Sequence, residues 1–162
     1  MKISTRGRYG VRAMFELAKH HGSYPLSAKE ISRIQDIPPA YLEQILNKLQ
    51  KAHLVRGIRG TGGGFLLGHR PEHICIMDII RVLEKSVSPV ECVTETSANG
   101  YCPRLASCIV HLVWKKLDQA TRAVLESMSL ADLCELEKQP AHYVHQQSVP
   151  SLSRMFSRGG DT

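Results

Sequence analysis

The sequence predicts a mainly α-helical fold with a small β-hairpin wing, that is, a winged helix-turn-helix followed by a long dimerisation helix. Three observations predict this fold: helical spacing of apolar residues in the first 50 positions, two short strands around a glycine-rich loop, and a heptad-like apolar seam further along the chain. The 162 residues have room for one domain of ordinary size with appendages.

The first two helices are predicted by apolar spacing and by capping signals. One helix is expected from about Tyr9 to His20, ended by Gly22, because its apolar residues recur every three or four positions. Ser27 and Glu30 then form a capping-box pattern, in which each side chain bonds the backbone N–H of the other residue. This pattern predicts the start of a second, short helix.

A third helix is predicted after the tight turn 36–39, because Pro39 fits the first turn of a helix, where its missing N–H costs nothing. Its inward residues share one face: Leu42, Ile45, Leu46 and Leu49. Two short helices joined by a tight turn, the second one basic at Lys48 and Lys51, are typical of a helix-turn-helix motif.

The wing is predicted by two short strands, residues 54–58 and 64–67, around a glycine-rich loop. The loop lacks the Lys-Ser/Thr pair of a phosphate-binding P-loop and joins two strands, which excludes that interpretation. A helix-turn-helix followed by a β-hairpin is a winged helix. With a further short helix over 74–84, residues 1–84 are therefore assigned to a winged-helix DNA-binding domain.

A long helix is predicted from about Pro103 to Met128. Its apolar residues recur at alternating intervals of three and four, which is a heptad-like seam: Ala106, Val110, Val113, Leu117, Ala120 and Val124. Such a seam packs either on its own domain or against a second copy of the chain. Because the winged helix has a core of its own, we expect a homodimer.

The remaining segments are assigned by composition and capping. Residues 85–103 lose all periodicity and form a loop that carries two cysteines. Residues 104–138 hold the dimerisation helix and a short C-terminal helix that is capped by Ser129 and Asp132. The polar tail 139–162 is expected to be disordered.

The positive charge is concentrated at the N-terminal end of the chain. Residues 1–60 hold eleven Lys/Arg against four Asp/Glu, whereas residues 61–162 hold ten against eleven. This asymmetry favours a polyanionic partner, with double-stranded DNA first and an anionic membrane second. The sequence has no apolar run of about 18 residues and no secretory signal. Five cysteines, an odd number, fit a reducing compartment, so a cytoplasmic protein is expected.

Candidate DNA contacts follow from the predicted motif. Gln44 can make a bidentate contact to adenine, and Glu43 either accepts a hydrogen bond from cytosine or pairs with a neighbouring side chain, Asn47 or Lys48. Arg59 at the wing tip suits a narrow, A·T-rich minor groove. The other residues expected at base edges are Ala40 and Tyr41. The candidate phosphate contacts are Arg6, Arg8, Tyr9, Lys48 and Arg56.

Three cysteines and a histidine form a second candidate site. Nine residues separate Cys92 from Cys102 and five separate Cys102 from Cys108, and His111 follows three positions later on the same expected helical face. Three thiolates and an imidazole suit either a tetrahedral zinc ion or an iron–sulfur cluster, and spacing leaves both open. The alternative is three free cysteines beside a surface histidine.

No cysteine or serine nucleophile has a local base and orienting group, so the sequence predicts a binding protein and not an enzyme. Cys75 and Cys134 lie in apolar patterns and are expected to be buried thiols. A competing class is a redox or electron-transfer protein whose basic end binds an acidic partner, and a structural zinc protein is a third.

Four segments resemble the IscR family of iron–sulfur-cluster transcriptional regulators: STRGRYGVRAM, YLEQILNKLQKAHLV, RGTGGGFLLG and the C-x2-H pattern after the last cysteine. The resemblance extends from residue 1 to about residue 138 and implies a dimeric winged helix that represses genes for cluster assembly. It also implies a [2Fe–2S] cluster held by Cys92, Cys102, Cys108 and His111.

Two departures from the family pattern are visible. The Cys92–Cys102 gap is longer than the family's five residues, and Pro38 and Ala40 replace polar residues at the start of the recognition helix. A related nitric-oxide-sensing branch shares the fold and the cysteines, and His111 at this spacing favours the IscR branch over it.

Overall fold

The structure, a computed structural model, describes residues 3–84, 86–94 and 102–139. Within these ranges it has six α-helices and one antiparallel hairpin, so the prediction of a mainly α-helical fold with a small wing is confirmed. The elements are α1 (Thr5–Lys19), α2 (Ala28–Gln35), α3 (Pro39–Lys51), β1 (Val55–Ile58), β2 (Gly64–Leu67), α4 (Ile76–Leu83), α5 (His111–Ser127) and α6 (Leu130–Lys138).

The helix-turn-helix forms as the capping signals predict. The Ser27 and Glu30 capping box opens α2, with the Ser27 N–H donating to Glu30 Oε2 over 2.8 Å. Helix α2 ends where Asp36 adopts a left-handed backbone with φ of 49°. Helix α3 then begins at Pro39, and its inward face is buried as predicted.

Helix α1 begins at Thr5, earlier than the predicted start near Tyr9. Its N-cap is Ser4, whose hydroxyl accepts a hydrogen bond from the Gly7 N–H over 3.2 Å. The carboxylate of Glu84, just past the end of α4, in turn accepts from the Ser4 N–H at 3.1 Å and from its hydroxyl at 2.5 Å. A contact between distant parts of the chain therefore fixes the start of the first helix.

Glycines in α1 allow α4 to cross it closely. A Cβ added at Gly10 would lie 2.0 Å from Cδ1 of Leu83, and one added at Gly7 would lie 2.4 Å from Oε1 of Glu84. A side chain at either position would require Leu83 or Glu84 to move from its place in this crossing. The crossing therefore ties α1 to the segment that leads out of the winged-helix domain.

The wing is a two-stranded ladder that a third segment extends. Val55 pairs with Leu67 at its base, and Leu26, from the α1–α2 connection, forms an isolated antiparallel bridge with Phe65. The Phe65 N–H donates to the Leu26 carbonyl over 2.7 Å. This bridge anchors the hairpin to the helix-turn-helix.

The core lies almost wholly within the winged helix. Its buried apolar residues come from α1 to α4, the hairpin and their connections, together with Val87 and Leu130 from later in the chain. Leu130 at the start of α6 is fully buried, and its N–H donates to the carbonyl of Ile74 over 3.0 Å. Helix α6 therefore returns to the first domain and packs on α1.

Helix α5 differs from its prediction at the N-terminal end. It begins at His111, whereas the sequence placed the start near Pro103. A short 3₁₀ turn, Leu105–Ser107, precedes it, and Cys108 has extended backbone with ψ of 100°, which interrupts helical geometry. The apolar spacing continued through this break, which is why periodicity alone placed the start too early.

The predicted seam of α5 is exposed on the single chain. Among the helix's residues only Asp118 is buried, whereas Val113, Leu117 and Val124 are 57%, 42% and 59% exposed. Val110, just before the helix, is 50% exposed. An apolar stripe this open belongs to a helix that has not buried its hydrophobic face.

Candidate functional site

Helix α3 presents a polar face away from the core. Glu43, Gln44 and Lys48 are exposed, as is Ala40, while Tyr41 is half-buried against the core. Glu43 forms no hydrogen bond or ion pair with any residue that the structure describes, so the alternative pairing with Asn47 or Lys48 is not formed. Its carboxylate is therefore available to a ligand.

The first turn of α3 has no side-chain cap. Pro38 occupies the N-cap position and offers no side-chain acceptor; Pro38 and Pro39 carry no backbone N–H, and the Tyr41 N–H donates to the Pro38 carbonyl over 3.1 Å. The positive end of the helix dipole favours an anion at this position. A phosphate of a DNA backbone fits that requirement.

The remaining positively charged candidates for DNA contacts lie on the wing and on α1. Arg56 on β1 and Arg59, the first residue of the loop, are both exposed. Arg8 is exposed and donates to the Thr5 hydroxyl over 3.2 Å. Arg6 is half-buried, and its Nε is buried without a hydrogen-bond partner in the structure.

Tyr9 lies at the junction of two helices. Its ring meets the ring of Tyr41 edge to face, with centroids 6.0 Å apart and an interplanar angle of 77°. A candidate phosphate contact on α1 and a candidate base contact on α3 are thus brought together. The guanidinium of Arg12 lies over the Tyr9 ring, 5.6 Å from its centroid. Sequence analysis missed Arg12, although its position four residues after Arg8 puts both on one helical face.

The predicted metal ligands lie at the start of α5 and on the segments before it. Cys92 sits in a 3₁₀ turn, Glu91–Val93, that packs on α5. Cys102 and Cys108 are free and half-buried. Cys108 is not on the helix, so the shared helical face with His111 was wrong; instead the His111 N–H donates to the Cys108 carbonyl over 3.1 Å.

His111 has an unusual environment for a histidine. Its Nδ1 is buried and has no hydrogen-bond partner among the residues that the structure describes. Buried imidazole nitrogens are normally satisfied by a hydrogen bond or a metal. An imidazole nitrogen without a partner, on a part of the chain that also carries free thiols, supplies the donor types that a cluster with mixed Cys/His ligation requires.

The four donors do not converge in the structure as described. Among residues 3–84, 86–94 and 102–139, no group of three or more His, Cys, Asp or Glu side chains is close enough to hold a metal ion. Residues 95–101, between the first two cysteines, lie outside the described part, as does the predicted disordered tail from residue 140 onwards. The ligand assignment therefore remains a prediction supported by donor chemistry.

A hydrogen bond from Arg122, which also pairs with Asp118 within α5, attaches the cysteine-bearing segment to this helix. Asp118 is buried, and its Oδ2 accepts from Arg122 Nε over 2.7 Å. Arg122 Nη2 also lies 3.4 Å from the hydroxyl of Ser88, four residues before Cys92. The segment 86–94 is thus held on the inward side of α5, opposite the exposed seam.

The two remaining cysteines are half-buried, less than the sequence predicted. Burial raises the pKa of the Cys75 thiol, and the adjacent Asp78 carboxylate, 3.1 Å from Sγ, adds to this increase. Burial also raises the pKa of the Cys134 thiol. A raised pKa keeps both sulfurs protonated near neutral pH, which disfavours reaction and metal ligation.

A helix-turn-helix with an exposed second helix, followed by a hairpin with exposed arginines, defines a DNA-binding protein of the winged-helix class. The family described as "Rrf2: Iron-dependent Transcriptional regulator" matches residues 3–136, and the chain belongs to this family. No helix in the described ranges is long and apolar enough to cross a membrane.

Several members of the family resemble the chain. The transcriptional regulator CymR of Bacillus subtilis is 42% identical over 133 residues, covering 82% of this chain and 89% of its own. Its structure, titled as that of the global cysteine regulator, covers 83% of this chain and 97% of its own, with a TM-score of 0.68 and 43% identity.

IscR proteins are similarly close. The transcriptional regulator IscR of Aliivibrio salmonicida is 35% identical over 133 residues, covering 82% of this chain and 77% of its own. The structure of T. potens IscR covers 87% of this chain and 91% of its own, with a TM-score of 0.71 and 37% identity. The expectation of a transcriptional regulator and not an enzyme is confirmed by these relatives.

Proposed function

We propose that the chain is a DNA-binding transcriptional repressor that senses iron–sulfur cluster status and controls genes for cluster biogenesis. The proposed cofactor is a [2Fe–2S] cluster held by Cys92, Cys102, Cys108 and His111. The observation that carries this proposal is the donor set: three free thiols on the segments leading to α5, and a buried His111 Nδ1 that has no partner.

The active form in this proposal is a homodimer acting on chromosomal DNA in the cytoplasm. A second copy of α5 covers the exposed seam of the first, because the stripe of Val113, Leu117 and Val124 repeats at the spacing of a helix-pairing interface. Two-fold symmetry then presents one winged helix to each half of a pseudo-palindromic operator. Half-sites of this kind lie about one helical turn of DNA apart.

Each winged helix contributes base and phosphate contacts. Gln44 and Glu43 face the base edges of the major groove, and Arg59 enters the adjacent minor groove. The cations of α1, α3 and β1 neutralise backbone phosphates, which makes the affinity steeply dependent on salt. The basic N-terminal half of the chain supplies this charge.

A bound [2Fe–2S] cluster supplies a labile centre whose presence reports the cell's supply of iron and sulfide. The protein's part is to connect that site to the rest of the fold. The ligands join segment 86–94 to the N-terminus of α5, and the Arg122–Ser88 contact already holds this segment on the helix. Ligation thereby orders the approach to the dimerisation helix. The imidazole of His111 in place of a thiolate makes the ligand set less negative and sensitive to protonation.

A second candidate is a regulator that responds to cysteine supply, as the printed title of the CymR structure describes for that protein. The identity to CymR, 42%, exceeds the 35% identity to IscR of Aliivibrio salmonicida. A nitric-oxide or redox sensor of the same fold shares the winged helix and the thiols. An electron-transfer protein or a structural zinc protein has no use for the exposed polar face of α3.

The deciding experiment is anaerobic purification followed by a visible spectrum with iron, sulfide and zinc analysis. The proposal expects a brown protein with about two irons and two sulfides per chain. The variants Cys92→Ser, Cys102→Ser and Cys108→Ser should each lose the chromophore, and Cys134→Ser is the matched control that keeps it. About one zinc per chain would instead support a structural metal. A protein that stays colourless and zinc-free after reconstitution would favour the cysteine regulator.

A further inference from the structure

Arg12 closes the C-terminal end of α2. Its Nε donates to Oε1 of Gln35 over 3.1 Å, and its Nη2 donates to the backbone carbonyl of the same residue. Gln35 is the last residue of α2, where carbonyl groups lack helical partners and the helix dipole is negative. A guanidinium at this position satisfies both the hydrogen-bonding and the electrostatic requirement of the helix end.

Glu16 orients the amide that Arg12 binds. Gln35 Nε2 donates to Glu16 Oε2 over 2.7 Å, and the Glu16 residue is only 2% exposed. A carboxylate requires the donor end of the amide, and a guanidinium requires its acceptor end. Only one orientation of Gln35 satisfies both neighbours. The Lys19 ammonium also faces this carboxylate at 3.5 Å and offsets the burial of its charge, and His20 Nδ1 lies 3.5 Å from Glu16 Oε1.

The same guanidinium reaches the start of α3 through an aromatic contact. Arg12 lies over the ring of Tyr9, which meets Tyr41 in the first turn of α3 edge to face. The planar guanidinium favours both the forked hydrogen bonds and the ring face, and a lysine ammonium reproduces neither geometry. Arg12 therefore contacts the end of α2 directly and is linked to the start of α3 through the Tyr9 ring.

We propose that Arg12, oriented by Glu16 through Gln35, is a positioning residue that sets the angle of the recognition helix α3 and does not act as a phosphate contact. The inference rests on the proposed DNA-binding function and names a residue that determines operator specificity. Substituting a phosphate contact and substituting a positioning residue have different effects on the salt dependence of DNA binding. Loss of one phosphate contact reduces the slope of log K against log salt by about 0.9, whereas loss of positioning leaves the slope unchanged.

The test uses the full chain and a duplex selected from a random-sequence library by the wild-type protein. Fluorescence anisotropy at several salt concentrations compares that duplex with a random duplex of the same length. We expect Arg12→Lys, Arg12→Gln and Gln35→Leu each to reduce the preference for the selected duplex by about tenfold at an unchanged salt slope. Arg70→Gln, which removes a surface ion pair with Glu72, is the control that keeps the preference.

Two results would overturn the proposal. One is an Arg12→Lys variant that binds like wild type while Arg12→Gln loses about one unit of salt slope, since that pattern belongs to a phosphate contact. The other comes from hydrogen exchange in the free protein. The Ile37 N–H donates to the Ser32 carbonyl over 3.1 Å inside the turn, and we expect its exchange to accelerate about tenfold in Arg12→Lys. Unchanged exchange would show that Arg12 does not hold the turn.

The exchange measurement also separates this inference from the proposed function. If the wild-type protein selects no sequence from the library, DNA recognition fails as a proposal. The exchange of Ile37 still decides whether Arg12 positions α3. A thermal unfolding scan of each variant confirms that the fold is retained before either comparison is made.

Discussion

The two halves of the chain bury their apolar residues in opposite ways. Residues 3–84 form a closed winged helix in which the inward faces of four helices and a hairpin cover one another. The described residues after position 85 add only Val87 and Leu130 to that core, and α5 leaves its apolar stripe open.

The first half buries its hydrophobic residues within the chain, whereas the second half leaves groups exposed or unpaired that a partner could cover. The first half covers most of its own hydrophobic residues, and Val87 and Leu130 complete its core. The second half contains an exposed seam, a buried imidazole nitrogen without a partner and three free thiols. A second copy and a metal cofactor are the partners that this chemistry fits.

The largest expected effect comes from disrupting the exposed seam of α5, which lies in the second, open half of the chain. Leu117→Glu places a charge in the seam, so we expect a monomer with unchanged helix content. In a dimer, two linked winged helices bind the two half-sites together, which increases the affinity for the operator. A monomer lacks this link, so operator binding should weaken by about 100-fold or more. Sedimentation and anisotropy titration measure the two effects. Gln119→Glu, on the exposed polar part of the same helix, is the matched control, and equal loss in both variants would count against the seam.

The next largest effect is on the free energy of unfolding and concerns the core of the winged helix. Leu46 in α3 is fully buried, so Leu46→Ala should lower the free energy of unfolding by roughly 2–5 kcal/mol. Leu112→Ala in α5, at a position 57% exposed, should change it by less than about 0.5 kcal/mol. Both are measured by urea denaturation in the Leu117→Glu background, where dimer formation does not contribute. Similar costs would show that α5 is packed as tightly as α3.

A smaller effect separates base contacts from phosphate contacts. Gln44→Ala should cost about 1–3 kcal/mol of discrimination at one operator position, because a bidentate base contact is lost. Lys48→Ala should weaken all sequences alike and reduce the salt slope by about 0.9. Titration of matched and single-mismatch duplexes distinguishes the two. A sequence-specific loss in Lys48→Ala would reassign that residue to the base edges.

The smallest effect compares capping boxes from the two halves. Hydrogen bonds from Ser27 lower the pKa of Glu30, and hydrogen bonds from Ser129 lower the pKa of Asp132. Each carboxylate therefore stabilises the fold above its unfolded pKa, and this contribution is lost as the pH falls through the lower folded pKa.

Glu30→Ala and Asp132→Ala test this pH dependence. We expect both to be less stable than wild type at pH 7 and to approach it in acid, starting below pH 4.5 for Glu30 and below pH 3.8 for Asp132. Thermal unfolding from pH 7 to pH 3 measures the difference, with Lys138→Ala as a control for surface charge. A deficit that is constant with pH would exclude the ionised carboxylates as its source.

Features that depend on neighbours in sequence were predictable, and features that depend on distant contacts were not. The caps at Ser27 and Ser129 and the proline at the start of α3 were read from local patterns. The true start of α1 required Glu84, whose carboxylate is 80 positions from Ser4. The Arg12 contacts were missed for the same reason, because nothing local connects Arg12 to Gln35.

The segment between α4 and α6 is connected to the winged helix at both of its ends. Leu83, at the end of α4, and Leu130, at the start of α6, are both buried in its core, so the chain between them begins and ends on the winged helix. The entropy of closing such a loop changes slowly with its length, by about 0.6 kcal/mol per doubling. The longer gap between Cys92 and Cys102, nine residues where five are usual, therefore costs the fold little. The spacing of the cysteines can therefore vary at little cost to the stability of the winged helix.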